Sequence, residues 1–130
     1  GINETRFNMG LDSKRVAVFD DDQDLLTIFS FLFEDAGCTV VSFQDCDNVV
    51  TKVRDAAPDL ILMDNWIPSS GGEVAVKLLK AEPDLKNIPV IYISANNDVK
   101  DIATRAGAEC FMPKPFEFDD LLAMATALVK

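Results

Sequence analysis

The chain reads as an α/β protein whose parallel sheet is covered by helices on both faces. Three observations lead there. The runs Val16-Ala17-Val18-Phe19, Leu60-Ile61-Leu62-Met63 and Val90-Ile91-Tyr92-Ile93 carry no charged residue and do not alternate with polar ones. Strands buried on both sides have that composition, whereas strands with one wet face alternate. Between these runs lie segments with apolar residues at helical spacing, closed by Gly37, Pro58 and Gly107. The runs also stop abruptly at polar residues: Asp20-Asp21, Asp64 and Ser94.

Taken in order, the first strand spans Arg15 to Phe19, and a helix starts near Asp22 or Gln23. Leu25, Phe29, Leu32 and Ala36 share one face of it, with Ile28 and Phe33 beside them. A strand from Cys38 to Phe43 and a helix from about Asp47 to Ala57 follow, the latter carrying Val49, Val50, Val53 and Ala57. The central strand opens at Asp59 and ends at Asp64. Residues 65–72 form a loop by composition, and a helix is expected from about Glu73 to Ala81. The fourth strand is Val90 to Ile93, ending at Ser94. Asn96 or Asn97 is expected to cap the next helix. Glu109 to Met112 is a short fifth strand, leading through Pro113 to Lys114-Pro115-Phe116. The last helix spans about Phe118 to Val129, with Leu121, Leu122, Ala125 and Leu128 on one side. Strand–helix alternation of this kind implies right-handed crossovers, so all strand ends of one polarity lie along one edge. Asp20, Asp21, Asp64, Ser94 and Lys114 therefore converge there.

Composition narrows the function classes. At 130 residues the chain is one domain with room for a well-buried core. Apolar residues make up 48% and charged residues 26%, the balance of a folded globule rather than a disordered chain. No apolar run approaches the roughly 20 residues of a membrane helix. The net charge of −10 repels phosphate backbones and argues against direct nucleic-acid binding. Histidine is absent, which removes Ser-His and Cys-His catalysis and makes structural zinc improbable. Cys38, Cys46 and Cys110 are expected to be buried, reduced thiols of a cytoplasmic protein.

Adjacent acids facing a third repel one another, and desolvation adds to the cost. Such a cluster persists by protonating one member or by binding a cation. Oxygen ligands without His or Cys favour Mg²⁺, Mn²⁺ or Ca²⁺. The plainer alternative is that the acids cap the following helix, and for Asp22 and Asp24 capping is the expected role. Lys114 brings positive charge to the same edge, and Ser94 one hydroxyl donor. Taken singly, each would be an ordinary solvated lysine and a helix-cap serine.

The stretches Val18-Phe19-Asp20-Asp21-Asp22, Asp59-Leu60-Ile61-Leu62-Met63-Asp64 with Pro68 beyond, Ile93-Ser94-Ala95 and Lys114-Pro115-Phe116 occur in order, each at a strand end. With them the sequence resembles the receiver domain of two-component response regulators, the CheY-like family, over about Lys14 to Lys130. The resemblance implies a flavodoxin-like (βα)5 fold, a doubly wound five-stranded sheet of order 2-1-3-4-5. It implies a receiver domain at 14–130; residues 1–13, polar and aperiodic, are expected to be a disordered leader or cloning remnant. It implies that Asp64 is the phosphoacceptor. Asp21 would ligate Mg²⁺ directly, with Asp20 assisting through water and the Trp66 backbone carbonyl completing the contacts. Lys114 would touch the phosphoryl group, Ser94 would close on it, and Phe111 would be the aromatic switch that turns inward. The donor would be a sensor histidine kinase or phosphotransfer protein, and the output a protein bound on the face after the fourth and fifth strands. The molecule would be no enzyme beyond Mg²⁺-dependent self-phosphorylation and slow autodephosphorylation.

Two rivals stand beside this reading. One is a degenerate receiver serving as a docking scaffold, although its usual mark is a lost acceptor or acidic pair. The other is a phosphatase with an aspartate nucleophile. Haloacid-dehalogenase-like enzymes place an acid/base aspartate two residues after the nucleophile, where this chain has Trp66. At that position the large ring is expected to shield the phosphoryl group. Trp66→Ala should therefore speed dephosphorylation severalfold in a phosphate-release assay, and an unchanged rate would remove the shielding role.

Overall fold

A computed structural model of the chain describes residues 10–64, 71–95 and 97–129. Its elements are β1 (Arg15–Phe19), α1 (Gln23–Asp35), β2 (Thr39–Phe43), α2 (Val49–Ala56), β3 (Leu60–Asp64), α3 (Gly71–Lys80), β4 (Val90–Ser94), α4 (Val99–Ala106), β5 (Cys110–Pro113) and α5 (Phe118–Leu128). The sheet is parallel throughout, in the order β2-β1-β3-β4-β5.

The apolar runs occupy the three interior strands. Val16–Phe19, Leu60–Met63 and Val90–Ile93 are wholly shielded from water. Each such large side chain contributes about 1.5–3 kcal/mol by its burial. Alternation then divides them between two layers. Val16, Val18, Leu60, Leu62, Ile91 and Ile93 pack against α1 and α5 through Leu26, Phe29, Phe33, Leu121 and Ala125. Ala17, Phe19, Ile61, Met63, Val90 and Tyr92 pack against α2, α3 and α4 through Val53, Val76, Leu79 and Ile102. The edge strands β2 and β5 are only partly covered.

Several local expectations need correction. The buried stripe of α1 is Leu26, Phe29, Phe33 and Ala36, while Leu25 and Leu32 sit half-buried at its border and Ile28 is exposed. Both sets have helical spacing, and packing against β1 selects the set containing Leu26. In α2, Ala56 rather than Ala57 meets the core. Ala57 closes the helix in the left-handed region, φ 48°, and its side chain is exposed. Gly71 and Gly72, expected in the loop, form the first turn of α3. The cap of α4 is Asp98, whose carbonyl accepts from the Ile102 N–H, with no side-chain cap bond. Asn97 lies in the preceding turn, and Asn96 is outside the described residues. Of the expected leader, only residues 10–13 lie among the described residues. Leu11 is buried among Phe33, Ala36 and Val129 of the same core layer, and its carbonyl receives the Cys38 thiol at 3.4 Å. All three cysteines are free, but only Cys38 is buried; Cys46 and Cys110 are half-buried.

Candidate functional site

The site forms where β1, β3 and β4 run out at the carboxyl edge. Strand polarity places Asp20, Asp64 and Ser94 side by side, and all three are buried, at 0%, 1% and 3% exposure. Apart from the Tyr92 hydroxyl and the Cys38 thiol, they carry the only buried polar side-chain groups among the described residues. The first helix begins immediately after Asp20 for a local reason. Asp20 Oδ1 accepts the Asp22 N–H at 2.9 Å, and Asp22 Oδ1 accepts from Asp24 N at 2.9 Å and Leu25 N at 3.3 Å. Asp22 thus caps α1, as expected, with Asp24 in the first turn.

Lys114 arrives from the other side. Its backbone N–H donates to the Ser94 carbonyl at 3.0 Å, which ties the turn after β5 to the end of β4. The Lys114–Pro115 bond is cis. The ammonium spans the Asp64 carboxylate, 3.0 Å from Oδ1 and 2.8 Å from Oδ2. Asp64 is therefore held in one orientation by a charge-assisted pair at the floor of the crevice.

Asp20 faces Asp64 with a less favourable balance. Its Oδ2 is buried and meets no donor among the described residues. Burial first, then the neighbouring Asp64, pushes the Asp20 carboxyl up to about 7, against the opposing pull of the Asp22 N–H and Lys114. Two carboxylates at close range, one with an orphaned oxygen, suit a small hard cation that completes its shell with water and phosphate oxygens. Asp21, the next residue, is exposed at the same edge. No three acidic or thiol side chains among the described residues make a cage by themselves. The donor set therefore fits Mg²⁺, which rarely takes an all-protein shell, better than a transition metal. The Trp66 carbonyl lies outside the described residues.

Below the acids runs a row of large side chains on the α2–α4 face, in register across the whole sheet: Phe43, Phe19, Met63, Tyr92 and Phe111. Phe19 stacks on Phe43 with ring centroids 4.8 Å apart. Phe111, at the far end, is half-buried against this layer. On the opposite side of the crevice an apolar groove of about 390 Å³ opens beside Lys114, walled by Leu25, Phe29, Pro115, Phe116 and Phe118. Phe116 stacks on Phe29 at 6.3 Å and meets Phe118 edge-on at 6.1 Å. Sequence reasoning missed the groove, since Leu25 and Phe118 belong to different helices. It also passed over Tyr92, although a lone tyrosine in an aliphatic strand was a visible signal.

Comparison with known proteins agrees with this geometry. The family model of the response regulator receiver domain matches residues 16–126. The phosphate regulon transcriptional regulatory protein PhoB of Klebsiella pneumoniae is 30% identical over 120 residues, 91% of this chain and 52% of PhoB. The CAI-1 autoinducer sensor kinase/phosphatase CqsS of Vibrio cholerae is 34% identical over 119 residues, 89% of this chain and 17% of CqsS. The chain thus spans about half the length of PhoB and a smaller part of CqsS. Among solved structures, the receiver domain of sensor histidine kinase PA1611 from Pseudomonas aeruginosa, with magnesium coordinated in its active-site cleft, superposes with a TM-score of 0.80. It is 21% identical, and the match covers 89% of this chain and 97% of that one. The fold is the CheY-like, flavodoxin-like one. The chain belongs to the receiver-domain family of two-component response regulators, a signalling family rather than one of classical enzymes.

Proposed function

We propose that Asp64 accepts a phosphoryl group from a phosphohistidine on a sensor kinase or phosphotransfer protein, and that the acyl phosphate switches a protein-binding surface. The observation that carries this reading is the buried Asp64 carboxylate, clamped by Lys114 and opposed by Asp20 with an unmatched oxygen. In the transfer the donor N–P bond breaks as an Asp64 Oδ–P bond forms, and the imidazole leaves with the electron pair and takes up a proton. Lys114, already on Asp64, moves its donors to the phosphoryl oxygens, and the Ser94 hydroxyl adds another. Asp20, Asp21, Asp64 and the Trp66 carbonyl would hold Mg²⁺, which when bound would neutralise charge on the carboxylate and phosphoryl oxygens. Magnesium in the cleft of the PA1611 receiver domain supports that choice; Mn²⁺ has the same ligand preference.

Phosphorylation adds about 1.5–2 negative charges, by analogy with phosphoserine, and three acceptor oxygens. Ser94 and Lys114 share a backbone hydrogen bond, so the two loops that must close are already joined. Their closure releases space next to Phe111, which turns inward and repacks the face of α4, β5 and α5. The response is a population shift toward a partner-binding form.

The apolar groove beside Lys114 supports a donor that approaches with an apolar surface. Asp22 and Asp24 on one side, and Glu117, Asp119 and Asp120 on the other, would select basic residues around it. No described helix is long and apolar enough to cross a membrane. We place the protein in the cytoplasm, consistent with its free thiols.

Incubation with Mg²⁺ and acetyl phosphate is expected to add one phosphate per chain by intact mass. Borohydride reduction followed by peptide mapping should locate it at Asp64. Absence of any adduct would favour the docking scaffold, and continuous phosphate release over many turnovers would favour the phosphatase.

A further inference from the structure

The sheet has two edges, and they are finished differently. β5 ends in Pro113 and is flanked by Glu109 and Lys114. β2, Thr39-Val40-Val41-Ser42-Phe43, has neither a charged residue nor a proline, and it pairs one-for-one with β1 without a bulge. Charge, proline and bulges are the usual guards of an open edge. Backbone alternation fixes which groups are open. The Thr39 N–H donates to the Lys14 carbonyl at 2.9 Å, and the Phe43 carbonyl accepts from the Asp20 N–H at 3.0 Å, so residues 39, 41 and 43 turn to β1. The N–H and C=O groups of Val40 and Ser42 therefore point outward, and no strand among the described residues meets them.

The two faces beside this edge differ in chemistry. On the α2 face a groove of about 380 Å³ lies beside β2, with Val41, Phe43 and Ala56 as its apolar lining. Three charged groups complete it. Arg15 Nε donates to the Ala56 carbonyl at 2.8 Å. Lys52 is held on Asp45 at 2.6 Å and over the Phe43 ring at 5.6 Å, and Asp55 is exposed. On the α1 face Ser42 Oγ meets Ser30 Oγ at 3.1 Å, and Gln44, just past β2, donates to Gln23 Oε1 at 2.8 Å. The helix thus runs antiparallel to the strand and turns the row Gln23, Thr27, Ser30 and Glu34 toward the edge. Glu34, exposed and one turn beyond Ser30, falls toward the Val40 end of β2.

We propose that the β2 edge docks an extended segment of a partner protein by strand addition, with apolar side chains on the groove side and basic ones on the α1 side. The open backbone groups select an extended chain. With Arg15 and Lys52 set against Asp55, the groove offers a cation no net attraction, which leaves that side to apolar residues. Glu34, on the other side, favours a lysine or arginine. A second copy of this chain is the poorer occupant. Its β2 brings no basic side chain, and two molecules of net charge −10 repel one another. The docking edge lies across the sheet from β5 and Phe111, and its use does not depend on Asp64.

The test titrates the full chain, without phosphodonor, with an acetylated and amidated heptapeptide carrying valine at every second position and lysine or threonine between. Amide shifts and hydrogen exchange are read. The Val40 and Ser42 amides should exchange as open groups in the free chain and slow about tenfold with peptide. Ser42→Pro removes one outward donor and leaves the β1 ladder intact. It should abolish protection at Val40 and leave phosphate uptake from acetyl phosphate at the parent's level. Glu34→Lys should weaken binding severalfold, most of all at low salt. A peptide N-methylated at every second residue keeps the side chains, loses the edge donors and should not bind. No protection of Val40 and Ser42 by the heptapeptide, or equal binding of the N-methylated one, would overturn the proposal. So would protection that grows with protein concentration alone, which would assign the edge to a second copy. None of these results bears on Asp64, whose role the acetyl phosphate measurement reads separately.

Discussion

Asp64→Asn is expected to take up no phosphate from acetyl phosphate, below 1% of the parent by intact mass, while remaining folded. The reason is chemical. A neutral amide oxygen is not the nucleophile that an ionised carboxylate is, and no other buried carboxylate in the crevice has Lys114 across both its oxygens. The fold should survive for two reasons. The asparagine oxygen still accepts one bond from the Lys114 ammonium. Asp20 also loses the neighbour that, after burial, most disfavours its charge. Removing one member of a buried ion pair can cost about 3–5 kcal/mol when the other charge is stranded. Here the Asp20 carboxylate, which already feels the Lys114 charge, remains to offset it, so a melting change well below that range is expected. Phosphate incorporation in Asp64→Asn equal to the parent would move the acceptor elsewhere.

Asp20→Asn is expected to separate metal binding from stability. Without metal, the Asp20 carboxyl is pushed up to about 7 from the 3.8 of a free aspartate, chiefly by burial. The folded chain therefore holds a proton between those values that the unfolded chain releases. Stability without metal is highest below the unfolded value and falls as pH rises through the folded one. On this account the metal-free parent should lose on the order of 3 kcal/mol between pH 4.5 and pH 8, the value of about 7 already including the opposing pull of Lys114. Asp20→Asn should show little of that slope and melt higher than the parent at pH 8. The same variant should bind Mg²⁺ at least tenfold more weakly by titration and phosphorylate correspondingly more slowly at fixed Mg²⁺. A parent whose metal-free stability is flat from pH 4.5 to pH 8 would contradict the burial of an ionisable Asp20.

The two variants separate what each acid contributes: Asp64 the bond to phosphorus, Asp20 the negative charge that a cation must neutralise. They also explain why the crevice tolerates an arrangement that costs stability. Among the described residues, the buried Asp20 Oδ2 at the end of β1 meets no donor. Local stability is given up at the place where ligand or modification would restore it.

What the sequence determined by itself was the sheet and its reacting edge. The runs at Val16, Leu60 and Val90 have no polar alternate position, so they had to be interior strands, and the residues that end them had to share one rim. The boundaries of α3 and α4, the burial of Leu11 and the burial of Ala56 in place of Ala57 were not legible. Each depends on which of two equally spaced sets meets a neighbouring layer, or on a single backbone angle. Only the tertiary structure decided that Lys114 spans both Asp64 oxygens and that Asp20, facing Asp64, keeps one oxygen unmatched among the described residues. Those facts join residues 44 and 50 positions apart in the chain, where periodicity carries no information and the match of charge, donor and burial is fixed by packing alone.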